Sequence, residues 1–162
     1  MQKTAAKSYY LRMRILGIDI QGSDVIAVIL DSAQGNVIIE KVEPTRLPLP
    51  QVGPEEGDNL LLFQNQLTTT ISAAKVDCVA VVKAAGGAYS ASPIKAKIEC
   101  LVQLAAKRNK LPCEQVAPQT ASKLEKRPPK GSGSIQNTIS GFQPKYAQRA
   151  AYCAWSALNA RR

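Results

Sequence analysis

Residues Ile15–Leu30 have the sequence ILGIDIQGSDVIAVIL, which is two apolar runs separated by the polar segment Gln21–Asp24. Runs rich in β-branched residues and bounded by Gly, Ser and Asp are typical of buried strands, and two of them around a short turn predict a β-hairpin. Asp19 is the exception in the first run. A carboxylate near the end of a buried strand is costly unless it binds a metal, a hydrogen-bond donor or a cation. The role of Asp19 is therefore the main question that this sequence poses.

The size and charge of the chain limit the classes of function. The chain has 162 residues, the size of one domain, and 45% of them are hydrophobic, which is typical of a globular protein. Lys and Arg outnumber Asp and Glu by 21 to 12, so that the net charge is +9. Such an excess favours an anionic partner, either nucleic acid or an acidic protein surface. No acidic residue follows Glu125, which predicts a basic surface near the C-terminus.

The side chains that usually bind zinc or activate a nucleophile are few. The sequence has no histidine, which excludes Cys/His zinc sites and Ser-His or Cys-His catalytic pairs. Its four cysteines form no CxxC pair, and each lies in an apolar segment: Cys78, Cys100, Cys113 and Cys153. We expect buried, reduced thiols and hence a cytoplasmic protein. No apolar run is long enough to span a bilayer, so no membrane partner is expected.

The pattern of apolar residues predicts the element order β-β-β-α-β-α-β-α and a five-stranded mixed α/β sheet with helices on both faces. The prolines of Pro44–Gly57 are expected to end the third strand, because proline cannot donate to a sheet. Residues 1–13 are expected to be a loose N-terminal arm and residues 14–162 a single domain with a flexible basic linker at 127–134. The other expected elements are strands at Val37–Val42, Cys78–Val82 and Cys113–Ala117, helices from Asp58, Pro93 and Pro144, and one or two helical turns at Pro118–Lys126.

This order of elements, together with the first strand and its Asp19, resembles the ribonuclease H superfamily. Within it the sequence is most similar to the RuvC-type Holliday-junction resolvases and their YqgF-like relatives, whose first strand carries a GxDxG-like signature. The segment Lys97–Arg108, KIECLVQLAAKR, is similar to a small bacterial branch of that group. The resemblance covers residues 14 to about 159 in topology, and it implies a ribonuclease H-like fold.

The resemblance also implies a site. Nucleases of this superfamily use two Mg²⁺ ions about 4 Å apart, which three or four carboxylates hold. The family places one Asp on the first strand, a Glu at the end of the fourth strand and further acids on the closing helix. Asp19 matches the first position, but Lys83 follows the fourth strand and residues 144–159 contain no acid. We therefore expect a vestigial Asp19, neutralised by Lys83, and neither metal nor cofactor.

Two alternatives stay open at this stage. An active, Mg²⁺-dependent nuclease would need Asp24 and Glu99 beside Asp19. We instead assign Asp24 to turn chemistry and expect Glu99 on a solvated helix face. A protein-interaction module with a basic face is the second alternative.

The favoured prediction is a non-catalytic domain of this fold that binds nucleic acid or serves as a subunit of a nucleic-acid-processing assembly. A homodimer or another protein partner is compatible with it. Phosphate contacts are expected from basic residues after the fourth strand, on the second helix and around the linker. These residues are Lys83, Lys95, Lys107, Arg108, Lys123, Lys126, Arg127 and Lys130.

Overall fold

The structure is a computed structural model that describes residues 12–22, 24–34, 36–48, 56–84, 92–127 and 138–161. Residues 1–11 of the predicted arm, residues 128–134 of the predicted linker and Lys130 lie outside the described residues. The described elements are β1 (Met13–Gln21), β2 (Asp24–Ala33), β3 (Asn36–Pro48), α1 (Glu56–Ala74), β4 (Cys78–Val82), α2 (Pro93–Arg108), β5 (Cys113–Val116), α3 (Pro118–Lys126) and α4 (Gln148–Ala160), the last preceded by a 3-10 turn at Lys145–Ala147.

The five strands form one mixed sheet in the order β3-β2-β1-β4-β5. The first three strands are an antiparallel meander, whereas β4 is parallel to β1 and β5 is parallel to β4. The helices α1 and α2 pack on one face, and α3 and α4 pack on the other, so that the core has two layers. The predicted five-stranded sheet with helices on both faces is confirmed.

The central strand β1 distributes its side chains between these two layers. Leu16 and Ile18 point to the layer under α1 and α2, and Ile15 points to the layer under α4. Because successive side chains of a strand alternate between faces, Gly17 and Asp19 lie on the α4 side together with Ile15. The helix that packs there therefore determines the surroundings of Asp19.

The helix α4 packs unusually close to β1. A Cβ atom on Gly17 would lie 2.0 Å from the carbonyl oxygen of Ala150 and 3.0 Å from Cβ of Ala154. The helix face at this contact consists of alanines that are fully buried: Ala147, Ala150, Ala151 and Ala154. Glycine on the strand and small residues on the helix let the two backbones meet.

The third strand is longer than predicted. It continues to Pro48, although we expected Pro44 to end it. The register shifts between Ile26 and Val28, which pair with Arg46 and Lys41, so that one residue of β2 lies opposite four of β3. This irregularity accommodates the proline on an edge strand, where a missing N–H costs little. The extension carries Arg46 to the end of the sheet at which β1 finishes.

An ion-pair network lies at the other end of the sheet, where β1 begins. Asp31 is 6% exposed and accepts hydrogen bonds from Arg12 Nη2 and Arg14 Nη1, both at 2.7 Å. Arg14 also donates to Glu40 and to the carbonyl oxygen of Ala74. Arg12 and Met13, the last residues of the predicted loose arm, therefore belong to the fold, since Met13 begins β1.

The cysteines agree only partly with the prediction of buried thiols. Cys78 and Cys153 are buried and Cys113 is half-buried, but Cys100 is exposed on the outer side of α2. Burial raises the pKa of Cys113 to about 11. Among the described residues, no helix combines the length and the hydrophobicity needed to cross a membrane.

The contact between Gly17 and α4 gives a direct test of this packing. We expect Gly17→Ala to reduce the free energy of unfolding by about 1–3 kcal/mol or more, because the new methyl group meets helix backbone. Gly57→Ala is the matched control, since its Cβ would contact nothing within 4 Å and alanine favours the helix. Urea unfolding of both variants measures the difference. Equal stability of Gly17→Ala and the wild type would contradict the close approach.

The network at Asp31 predicts a pH dependence. The hydrogen bond from Arg12, followed by that from Arg14, holds the pKa of Asp31 below its usual value. This carboxylate therefore stabilises the fold above its usual pKa of about 3.9, and the stabilisation is lost as the pH falls below that value. We expect Asp31→Asn to destabilise by about 1–3 kcal/mol at pH 7 and by less at pH 3. Denaturant unfolding at both pH values tests this, with the exposed Glu125→Gln as control. Parallel pH profiles of wild type and Asp31→Asn would contradict it.

Candidate functional site

Asp19 lies near the end of β1 and is only 3% exposed. Its Oδ2 accepts a hydrogen bond of 2.7 Å from Nε2 of Gln21, two residues further along the strand. The same Nε2 donates to the carbonyl oxygen of Tyr146, also at 2.7 Å. Gln21 therefore ties the carboxylate to the 3-10 turn that precedes α4.

A cation on α4 faces the other oxygen of this carboxylate. Nε of Arg149 lies 3.7 Å from Oδ1 of Asp19, and the Arg149 side chain is 30% exposed. This distance is that of an ion pair without a hydrogen bond. Nε itself is buried and has no hydrogen-bond partner within the described residues. Arg149 is the second residue of α4, so the close packing of α4 on Gly17 brings this guanidinium to Asp19.

Lys83 does not take the position expected of it. It is exposed at the end of β4, and its backbone N–H donates to the carbonyl oxygen of Val116 at 2.8 Å. Among the described ion pairs, the partner of Asp19 is Arg149. The expected Lys83–Asp19 ion pair is therefore wrong. A cation does lie beside Asp19, but it is Arg149 of α4 and not Lys83.

Glu99 is not on a solvated helix face, as we expected. It is 8% exposed, and its Oε2 accepts a hydrogen bond of 2.7 Å from the backbone N–H of Ala84. Ala84 follows β4, so α2 supplies a carboxylate to the end of the fourth strand, where the sequence itself has a lysine. This contact compensates the burial of Glu99 and ties α2 to the sheet.

Asp24 has an ion-pair partner beyond the turn. Arg46 of β3 donates to Oδ2 of Asp24 through Nε at 3.2 Å and forms a closer contact through Nη2. The guanidinium carbon of Arg46 also lies 4.8 Å from the centre of the Tyr146 ring, which is a cation–π geometry. Arg46, Tyr146 and Arg149 thus surround the end of β1, and none of these three residues was predicted from the sequence to contribute to a site.

The side chains around Asp19 do not suit a pair of divalent cations. Mg²⁺ requires several oxygen ligands, but the groups that contact Asp19 are an amide N–H and a guanidinium. Asp24 is bound to Arg46, and Glu99 is bound to a backbone N–H. Within the described part of the chain, no group of three or more Asp, Glu, Cys or His side chains could hold a metal ion.

The predicted phosphate contacts do not form one cluster. The basic side chains of the prediction that lie within the described residues are exposed, apart from a half-exposed Lys95. The helix α3 and Arg127 line a shallow groove with the cations Lys123, Lys126 and Arg127. In contrast, Lys107 and Arg108 lie at the end of α2, which runs back from the end of β4 to the start of β5. These two residues therefore lie at the end of the sheet where the parallel strands begin, opposite to the end that holds Asp19.

Comparison with solved structures identifies the class of the fold. RuvC from Thermus thermophilus superposes with a TM-score of 0.64 at 14% identity, over 92% of this chain and 96% of that chain. The T. thermophilus RuvC complex with a Holliday junction substrate gives a TM-score of 0.66 at 13% identity, with 92% and 95% covered. The yeast mitochondrial Holliday junction resolvase gives 0.52 at 16% identity, with 91% and 78% covered. The chain therefore has the ribonuclease H-like fold of RuvC, as predicted.

The family is defined by sequence. Residues 13–154 match the model of DUF3010, which is described as a protein of unknown function, and the chain belongs to this family. Comparison with proteins of curated function gives no match. The function is therefore inferred from the site.

The geometry at Asp19 predicts energetic coupling to Arg149. Removing the cation leaves a buried carboxylate without charge compensation, and removing both charges avoids that cost. We expect a double-mutant cycle of Asp19→Asn and Arg149→Met to give a coupling energy of about 1–3 kcal/mol in urea unfolding. The matched cycle of Asp19→Asn and Lys83→Met should be additive within about 0.5 kcal/mol. A large coupling to Lys83 and none to Arg149 would contradict the assignment.

Proposed function

We propose that this protein is a non-catalytic ribonuclease H-like domain that binds nucleic acid, alone or as a subunit of a nucleic-acid-processing assembly. The observation that carries the proposal is the position of Arg149, 3.7 Å from the buried Asp19. The similar T. thermophilus structure with a Holliday junction substrate supports nucleic acid as the ligand class. A cytoplasmic location and reduced thiols are part of the proposal.

The electrostatics at Asp19 argue against metal-dependent cleavage. Two charges, +2 on a divalent ion and +1 on a guanidinium, repel each other by about 7 kcal/mol at roughly 5 Å and an effective dielectric constant of about 20. A metal ion on Asp19 would therefore require Arg149 to leave its place beside the carboxylate. Arg149 itself compensates the charge of Asp19, so the fold keeps this buried acid without a metal.

Binding without catalysis uses the basic surface. The net charge of +9 attracts the phosphate backbone, and exposed lysines and arginines supply the contacts. The groove along α3 offers three of these cations close together: Lys123, Lys126 and Arg127. Phosphate contacts of this kind position a nucleic acid without distinguishing its sequence.

A metal-dependent nuclease is the second candidate, and one observation favours it. Glu99 holds a carboxylate at the end of β4, the strand whose end bears an acid in the nucleases that the sequence resembles. This alternative needs Asp19, Asp24 and Glu99 to act together, yet each already has a hydrogen-bond or ion-pair partner. A metal site would have to break these contacts, whereas the non-catalytic proposal leaves them intact.

The test measures binding and cleavage on the same substrates. Labelled four-way junction, duplex and single-stranded DNA, and the matching RNA strands, are incubated with the protein in Mg²⁺ or Mn²⁺ at several salt concentrations. We expect binding by fluorescence anisotropy that weakens steeply as salt rises, and no cleavage on a denaturing gel. A plot of log affinity against log salt has a negative slope, and Lys123→Ala and Lys126→Ala should each make this slope shallower by about 1. Lys97→Ala, which removes a lysine paired with Glu56, is the matched control and should change the slope less.

Two results would overturn the proposal in different ways. Metal-dependent cleavage that Asp19→Asn abolishes would establish the nuclease. No binding to any of these nucleic acids at low salt would leave the protein-interaction module with an acidic partner.

A further inference from the structure

We infer that Arg46 and Tyr146, together with Lys145 and Arg149, form a binding site for an unpaired nucleotide at the end of β1. We call these four residues the Arg46–Tyr146 site. The inference rests on the proposed function, because it names the part of a nucleic acid that the domain recognises.

Arg46 and Tyr146 bring two flat groups into contact at the surface. The guanidinium carbon of Arg46 lies 4.8 Å from the centre of the Tyr146 ring. The Arg46 side chain is 54% exposed, and Tyr146 is 38% exposed. Both groups are therefore partly open to solvent, and the ring contacts a cation. An exposed aromatic ring or guanidinium plane is the surface on which proteins stack nucleobases.

Both groups are held in place by the fold itself. Asp24 holds the guanidinium of Arg46 through two of its nitrogens. The backbone carbonyl of Tyr146 accepts a hydrogen bond from Gln21, which also holds Asp19. A stack whose two partners are both anchored loses little conformational entropy when a base adds to it.

The charged side chains of the site differ in their exposure to solvent. Lys145 is exposed next to Tyr146, and Arg149 follows one helical turn later with 30% of its side chain exposed. The carboxylates nearby are more deeply buried, with 4% of the Asp19 side chain and 16% of the Asp24 side chain exposed. In both ion pairs the cation is therefore more exposed than the acid. Outward cations beside a flat stack suit a phosphate next to a base.

These three features together select an unpaired nucleotide over a duplex. A base inside a duplex has both faces covered by its neighbours, so it has no face to offer the stack. A nucleotide in a single strand, or at a branch point or frayed end, exposes one face of its base and the adjacent phosphate. The domain thus has two modes of contact. Its basic surface binds phosphates in a salt-dependent way, and the Arg46–Tyr146 site adds a preference for unpaired nucleotides.

The experiment compares a single strand with a two-stranded, blunt-ended duplex of equal phosphate number that is closed by G·C pairs at both ends. Fluorescence anisotropy gives both affinities for the wild type, Tyr146→Ala, Tyr146→Phe and Arg46→Lys. We expect Tyr146→Ala to weaken single-strand binding about 5- to 100-fold, because it removes one stacking partner. Duplex affinity should change less than about twofold. Tyr146→Phe keeps the ring and should retain single-strand binding, whereas Arg46→Lys keeps the charge beside Asp24 but loses the plane and should weaken it.

A second measurement reports the stacking itself. A 2-aminopurine base in the single strand is quenched when it stacks, and we expect this quenching with the wild type and Tyr146→Phe but not with Tyr146→Ala. Circular dichroism melting establishes that each variant is folded, and Arg46→Lys carries the test should Tyr146→Ala not fold.

The outcomes separate this inference from the proposed function. Absence of binding to both probes at low salt overturns the inference, and the proposed function falls with it if none of the junction, duplex, single-stranded and RNA substrates is bound. Binding of the single strand with equal affinity by Tyr146→Ala and the wild type overturns the inference alone. So does an equal loss of affinity for single strand and duplex, which would identify Tyr146 as a structural residue.

Discussion

The close contact between Gly17 of β1 and the backbone of α4 is the constraint on which the site depends. No side chain fits at residue 17, because the carbonyl oxygen of Ala150 would lie 2.0 Å from its Cβ. The buried alanines of α4 allow this approach, and the approach sets Arg149 beside Asp19. The charge that compensates the buried acid is therefore a consequence of helix packing. The chain has the fold of RuvC, and at the end of β1 it holds a buried carboxylate beside a partly exposed guanidinium.

Much of the fold was predictable from local patterns. The hairpin at residues 15–30 follows from two β-branched runs around a glycine turn, and Gly22 indeed has a φ of +52°. The element order, the apolar faces of α1 and α2 and the alanine stripe of α4 follow from periodicity. The burial of Asp19 was also predictable, because this residue lies between apolar residues of a buried strand.

The parts that sequence reasoning missed depend on contacts between residues far apart in the chain. Pro44 argued for the end of β3, and the register shift that absorbs it depends on the pairing with β2, so Arg46 was overlooked. The burial of Glu99 depends on a backbone N–H at the end of β4, which no pattern within α2 indicates. Lys83 was predicted as the partner of Asp19 because it is adjacent to the end of a predicted strand. The true neighbour, Arg149, is brought there by the contact of α4 with Gly17, more than 130 residues away in the sequence.

The most direct test of the central claim is a measurement of divalent-metal binding, independent of any nucleic acid. Titration of the wild type with Mn²⁺, followed by electron paramagnetic resonance of the free ion, determines whether Asp19 holds a metal. Our account predicts no saturable Mn²⁺ binding up to millimolar concentration, because Arg149 already compensates the carboxylate. Saturable binding that Asp19→Asn removes would contradict it, since that result would show a metal in the place we assign to the guanidinium.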